Sequence, residues 1–98
     1  MTGSTRTSAD LDVRRRRVLF RSWHRGLREM DLLMGRFADA EIGSMSDEDL
    51  GVFENLIEVP DGDLFRWLTG EAEAPSNYDT PVFRRLKAFH THDAALHA

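Results

Sequence analysis

The residues in this chain able to do chemistry are few, and most are arginines and carboxylates. His24, His90, His92 and His97 are the candidates for metal binding or proton transfer. His90 and His92 lie two apart, so on a helix they point about 200° from one another and cannot chelate one ion. His24 and His97 have no ligand-type partner four residues on. Asp61-Gly62-Asp63 resembles a fragment of a calcium loop, but the further oxygen ligands and the closing glutamate are missing at the required spacing, and a helix cap accounts for the triplet. With no cysteine there is no disulfide framework, thiolate zinc site, iron–sulfur cluster or cysteine nucleophile. No glycine-rich phosphate loop, nucleophile elbow or catalytic triad pattern occurs. The expectation is a protein that is not an enzyme, with no catalytic residues and no metal site.

Arginine is the remaining resource. Twelve of the 13 basic residues are arginine, whose planar fork pairs with carboxylate or phosphate in fixed geometry, although a coding bias would produce the same excess. The formal net charge of −4 hides an uneven distribution: residues 1–36 carry +5, residues 37–79 carry −11 and residues 80–98 carry +2. Such asymmetry points to charged binding surfaces. The run Arg14 to Arg17, continued by Arg21, Arg25 and Arg28, could track a phosphate backbone, so a small nucleic-acid-binding module is one alternative. The acidic middle of the chain would repel a duplex. A solvated helix face is the plainer account.

One stretch stands apart, Arg21-Ser22-Trp23-His24-Arg25-Gly26-Leu27-Arg28-Glu29-Met30-Asp31. A glycine there allows close approach of a partner's backbone to the corner between two helices. Arg25 offers a bidentate fork, and Glu29 an opposite charge four residues on. Arginine N-terminal to glutamate is the weaker order for an intrahelical pair, and an exposed pair contributes only ~0.2–0.5 kcal/mol. Stability alone therefore explains these charges poorly.

The elements that must position this corner are helices. Strand alternation is nearly absent, and apolar residues recur at helical spacing. A first, basic helix is expected from about Leu11 to His24, with Val13, Arg17, Phe20 and His24 near one face and Val18, Leu19 and Trp23 beside it. Gly26 breaks the chain in the left-handed conformation of a helix C′ residue. A second helix runs from about Leu27 to Ala40 on the stripe Leu27, Met30, Met34 and Phe37, with Glu29 and Asp31 favourably placed in its first turn. Ser46 with Asp49 opens a third helix, through about Glu58, with Leu50, Phe53, Leu56 and Ile57 inward. Pro60 ends it, and Asp61 is free to cap a short fourth helix, Asp63 to Thr69, that buries Leu64, Phe65 and Leu68 before Gly70. Thr80 and Pro81 start a fifth, with Val82, Phe83, Leu86 and Phe89 inward.

At 98 residues this is one domain, all-α, a compact five-helix bundle. Residues 1–10 read as an unordered N-terminal tail, 11–92 as the folded domain and 93–98 as a frayed C-terminal tail. No apolar run follows the early basic residues as a secretory signal requires, and Asp10 and Asp12 interrupt a transit-peptide pattern. No apolar stretch approaches the ~20 residues of a membrane span.

Arg25-Gly26-Leu27-Arg28-Glu29 matches the R-G-x-x-E motif of the succinate dehydrogenase assembly factors, the small flavinylation factors or flavinators. Met30-Asp31, Leu33, Gly35 and Phe37 follow it. Later, Pro60-Asp61-Gly62-Asp63-Leu64-Phe65-Arg66-Trp67-Leu68 is similar to that family's acidic D-x-D-L-x-x-W-L segment. The chain resembles this family from about Val13 to Phe89. The resemblance implies a monomeric five-helix protein that binds the flavoprotein subunit of succinate dehydrogenase, and in some relatives of fumarate reductase, and promotes covalent attachment of FAD to a histidine of that subunit. It implies contact with the flavoprotein through Arg25, Gly26 and Glu29, with Arg21, His24, Arg28 and Asp31 as additional contacts. Asp63 and Trp67 match the second segment and are assigned first to capping and packing. FAD belongs to the partner and is not bound stably by this chain. No nucleic acid and no membrane insertion are implied. The location would be the cytoplasm in a bacterium and the mitochondrial matrix in a eukaryote. The alternatives kept open are the nucleic-acid module and a stand-alone flavin-binding protein.

Overall fold

The computed structural model describes residues 10–91. Most of the expected N-terminal tail, and the segment 92–98 with His92, His97 and the expected C-terminal tail, lie outside the described residues. Five α-helices follow one another: α1 (Val13–Trp23), α2 (Arg28–Glu41), α3 (Asp47–Ile57), α4 (Asp61–Thr69) and α5 (Pro81–Thr91). A 3₁₀ turn, Ile42–Ser44, prolongs α2. No strand occurs among the described residues.

The helix starts follow local chemistry. Asp12 accepts from the Arg15 amide to cap α1, the Ser46 hydroxyl accepts from the Asp49 amide at 3.1 Å to cap α3, and the Thr80 hydroxyl accepts from the Phe83 amide at 3.1 Å to cap α5. Each satisfies an amide that the first turn leaves without an intrahelical acceptor. Gly70, in the left-handed region, closes α4. Three boundaries differ from expectation. α1 ends at Trp23 with His24 as its C-cap, so Gly26, at φ +102°, turns the linker between α1 and α2 instead of occupying the C′ site. Leu27 is the N-cap of α2, and α4 begins at Asp61, two residues early, with Pro60 before it. Asp61 therefore caps nothing. Its carboxylate is occupied elsewhere.

α1 packs on α2 and α3, and α5 packs on α2, α3 and α4. Met30, Met34 and Phe37 of α2, Leu50, Phe53 and Leu56 of α3, Leu64 of α4 and Val82 and Leu86 of α5 are essentially inaccessible to water. Phe37 meets Phe53 at 5.5 Å and the edge of Phe89 at 5.7 Å, within the range of favourable aromatic pairs. Trp67 lies against Tyr78 and Phe83, which accounts for it as packing, and Asp63 pairs with Arg66 at 2.6 Å rather than capping.

The inward face of α1 is not the expected one. Val18, Leu19, Ser22 and Trp23 are buried, while Val13 is 58% and Phe20 62% exposed. Ser22 made the inward face hard to see. It is fully buried because its hydroxyl donates to the Val18 carbonyl at 2.8 Å, so its polar atom is satisfied within the helix. Phe20 instead has Arg16, Arg17 and His24 as its neighbours on the helix surface. α1 and α2 approach closely because Gly35 has no side chain. A Cβ there would stand 2.3–2.7 Å from three carbons of the Trp23 indole. Leu27 and Phe65, both expected inside, are 51% and 38% exposed.

Candidate functional site

The corner between α1 and α2 is fastened from within. The Arg25 side chain, only 7% exposed, donates from Nε to Asp61 Oδ1 at 2.6 Å, from Nη1 to the Ile57 carbonyl at 2.7 Å and from Nη2 to the Val59 carbonyl at 2.7 Å. One planar fork thus ties the linker to the last turn of α3, the α3–α4 link and the first residue of α4. Ile57 O is among the carbonyls that a helix C-terminus leaves without an intrahelical donor, and a cation there is favoured by the helix dipole. The Arg25 backbone N–H donates to Asp31 Oδ1 at 2.6 Å, which holds the linker to the first turn of α2. Lying outside both helices, Arg25 makes no intrahelical pair with Glu29.

Gly26 then carries the chain through φ +102°, and an added Cβ there would meet nothing within 4 Å. Space does not select glycine at this position; backbone conformation does. Gly26, Leu27, Arg28 and Glu29 are all exposed. Arg28 and Glu29 make no ion pair among the described residues. His24, also exposed, stacks on Phe20 with ring centroids 3.9 Å apart and planes 14° off parallel. Its Nδ1–H donates to the Phe20 carbonyl at 2.7 Å, which fixes both rings at the end of α1.

A cleft of about 280 Å³ opens beside the corner, lined by Phe20, Arg21, His24 and Arg25 on one side and Ile57, Pro60 and Asp61 on the other. Arg21 spans its edge to Glu58 at 2.5 Å. Of the residues expected at the site, then, Arg21, His24, Gly26, Arg28 and Glu29 share the exposed corner, whereas Arg25 and Asp31 support it. Sequence reasoning missed Asp61 as the partner of Arg25, and missed Phe20 and Leu27 as surface residues. The basic neighbours of Phe20 were the available signal. The link from Arg25 to Asp61, 36 positions on, left no local signal.

The arginine run is divided by the fold. Arg14 forks onto Glu54, at 2.7 Å for the shortest bond, and the pair holds the Glu54 carboxyl below its usual range while raising Arg14. Arg15 bonds Asp12, the Ile42 and Met45 carbonyls and, more weakly, Asp47. The hydrogen bond from Arg15 likewise lowers Asp12. Arg14 and Arg15 thus bond acceptors of their own chain, while Arg16 and Arg17 stay exposed, so the basic run is divided between internal pairing and the surface. Among the described residues no cluster of three or more His, Cys, Asp or Glu could hold a metal ion, and no helix is long and apolar enough to cross a membrane.

Comparison with known proteins agrees with the corner motif. A family model described as flavinator of succinate dehydrogenase matches residues 16–90. The FAD assembly factor SdhE of Acetobacter pasteurianus is 43% identical over 77 residues, covering 79% of this chain and 71% of that protein. Succinate dehydrogenase assembly factor 2, mitochondrial, of Dictyostelium discoideum is 33% identical, covering 81% of this chain and 56% of that protein. Its counterpart in Debaryomyces hansenii is 38% identical, with 79% and 51% covered. The chain thus spans little more than half the length of these two mitochondrial relatives. With the family model covering nearly all of its helical region and relatives in bacteria and eukaryotes, the chain belongs to the flavinator of succinate dehydrogenase family.

Proposed function

We propose that this protein is an assembly factor that binds the flavoprotein subunit of succinate dehydrogenase and promotes covalent attachment of FAD to a histidine of that subunit. The observation that carries the proposal is the contrast within the corner: its inside is fastened by four short polar contacts, while Gly26 to Glu29 stand outside with Arg28 and Glu29 unpaired among the described residues. A fixed, charged and partly apolar surface of this kind suits docking, because little ordering remains to be paid when the partner arrives.

The flavin and the histidine that receives it belong to the partner. Gly26 and Glu29 contact the flavoprotein, with Arg21, His24 and Arg28 around them, and Arg25 and Asp31 hold the contact surface in shape. The factor acts by differential binding: it stabilises the flavoprotein arrangement in which histidine and flavin are aligned, and alignment of reacting groups is among the largest sources of rate acceleration. It works as a monomer, and the flavoprotein of fumarate reductase is a second client of the same surface. In a bacterium the site of action is the cytoplasm, in a eukaryote the mitochondrial matrix.

Co-expression of the flavoprotein subunit with and without this chain, followed by in-gel flavin fluorescence under denaturing conditions, tests the proposal. Covalent fluorescence that rises with the chain is expected; equal fluorescence in both samples counts against it.

A further inference from the structure

The same corner contains a device whose place is inside the surface rather than on it. We infer that Arg25 and Asp61 are positioning residues for flavoprotein binding: their ion pair sets the spacing of the two walls of the Phe20–Pro60 cleft and thereby the presentation of Gly26 and Glu29. The inference rests on the function proposed above.

Three observations converge. First, the guanidinium is saturated by this chain's own acceptors, with Asp61 Oδ1 and two main-chain carbonyls all at 2.6–2.7 Å and the side chain 7% exposed, so it has little left to offer a partner. Second, the bonds join separate elements across this edge: the α1–α2 linker on one side, and the end of α3, Val59 and the start of α4 on the other. Third, the same residue anchors its main chain to Asp31, so the orientation of the first turn of α2, where Glu29 sits, depends on the same anchor. Releasing Asp61 unties the start of α4 from the linker and leaves the Arg25 fork on the Ile57 and Val59 carbonyls alone, so the corner is loosened while the core is untouched. Leu64 and Phe53 remain buried by contacts that do not involve this pair. Arg21 with Glu58 bridges the outer edge but is more exposed and screened by solvent, so it does not replace the inner fork.

The test compares the wild-type chain with Asp61→Ala, Asp61→Asn, Arg25→Lys and Asp61→Ala combined with Arg25→Lys. Affinity for the isolated flavoprotein subunit is measured at a temperature where thermal unfolding shows every variant fully folded. Amide hydrogen exchange of the free chain is followed in parallel. Coupling of one site to another through a change of shape typically alters affinity by roughly 5- to 150-fold, so Asp61→Ala is expected to weaken binding by roughly tenfold. Asp61→Asn, which keeps an acceptor and the side-chain shape, should lose less. The combined variant should lose no more than the worse of its two parents, because both changes disable one unit. Exchange should quicken at Gly26 to Glu29 and not in α5.

Additive losses in the combined variant, or weakened binding with exchange at Gly26 to Glu29 unchanged, would mean that each side chain touches the partner directly, and would overturn the inference. Unchanged affinity in Asp61→Ala overturns it as well. Failure of the wild-type chain itself to bind the flavoprotein refutes the proposed function and removes the basis of the inference, a result distinguishable from the others because it appears before any variant is made.

Discussion

Gly26 offers the sharpest separation of folding from function. At φ +102° an L residue is strained, and an added Cβ has nothing within 4 Å to strike. Gly26→Ala and Gly26→Arg should therefore bear a similar backbone cost, about 1–2 kcal/mol, with no steric penalty inside the fold for either. For a domain of this size that lowers the melting temperature by roughly 4–16 °C. Starting from a stability of at least about 5 kcal/mol, about 3 kcal/mol or more remains, so both variants stay more than about 99% folded at 25 °C. Their functions should diverge. The methyl group adds little bulk to the exposed corner, whereas the arginine side chain stands between the corner and anything docked on it. We expect Gly26→Arg to lose at least about tenfold in affinity for the flavoprotein, ~1.4 kcal/mol or more, and most of its flavinylation, with Gly26→Ala much nearer the wild type. The assay pairs thermal unfolding by circular dichroism with in-gel flavin fluorescence after co-expression. Full flavinylation by a folded Gly26→Arg variant refutes the placement of this corner at the contact. Equal functional loss in both variants would show that strain, not obstruction, is responsible.

Other substitutions test separate links. Glu29→Ala, at an exposed helix position without an ion pair among the described residues, should shift the melting temperature by no more than a few degrees, in keeping with ~0.5 kcal/mol for surface changes, while flavinylation falls; parallel loss of both would assign Glu29 to the fold. Gly35→Ala should destabilise by about 1–3 kcal/mol despite the better helix propensity of alanine, because the new Cβ meets the rigid Trp23 indole at 2.3–2.7 Å. Gly51→Ala, whose nearest neighbour is the flexible end of Arg14 at 3.4 Å, should stabilise by ~0.5–1 kcal/mol; the same sign of shift for both glycines would contradict the α1–α2 packing. Glu54→Gln probes the ion pair with Arg14. Because Arg14 holds the folded-state Glu54 carboxyl below its unfolded value, the pair stabilises above the usual carboxylate range and that contribution is lost as pH falls through the depressed value. The variant should therefore be less stable than the wild type near neutral pH, by no more than ~1 kcal/mol for so exposed a pair, and equal to it in strong acid. A gap that persists in strong acid would assign the loss to packing.

Helix by helix, what was legible depended on how local the cause was. Ser46 and Thr80 announce helix starts because a hydroxyl and an amide three residues on need nothing else, and Leu50, Phe53, Leu56 and Ile57 announce the inner face of α3 because four large apolar residues at helical spacing leave one solution. α1 was harder to read. Its apolar residues occupy more than half its circumference, and the choice between the Phe20 face and the Trp23 face depended on Gly35 of α2, whose missing side chain receives the indole. Phe65 likewise satisfies the spacing of α4, yet only the placement of α5 decides that Leu64 and Leu68 point inward and Phe65 outward.

By itself the sequence determined an all-α chain without cysteine chemistry, a glycine-broken corner rich in charge, and a motif that marks the family. Caps, breaks and periodicity act over three or four residues, so they can be read directly from residue order. Only the tertiary structure decided what the charges do. The arginines of residues 1–36 and the acids of residues 37–79 look in sequence like two opposed surfaces, but folding sets Arg14 on Glu54, Arg21 on Glu58 and Arg25 on Asp61, so much of that asymmetry is spent internally. Ion pairing depends on distance in space, and partners 36 to 40 positions apart become neighbours only once the helices have packed. Among the residues left outside after those pairs form is the short exposed run from Gly26 to Glu29, beside the stacked rings of Phe20 and His24.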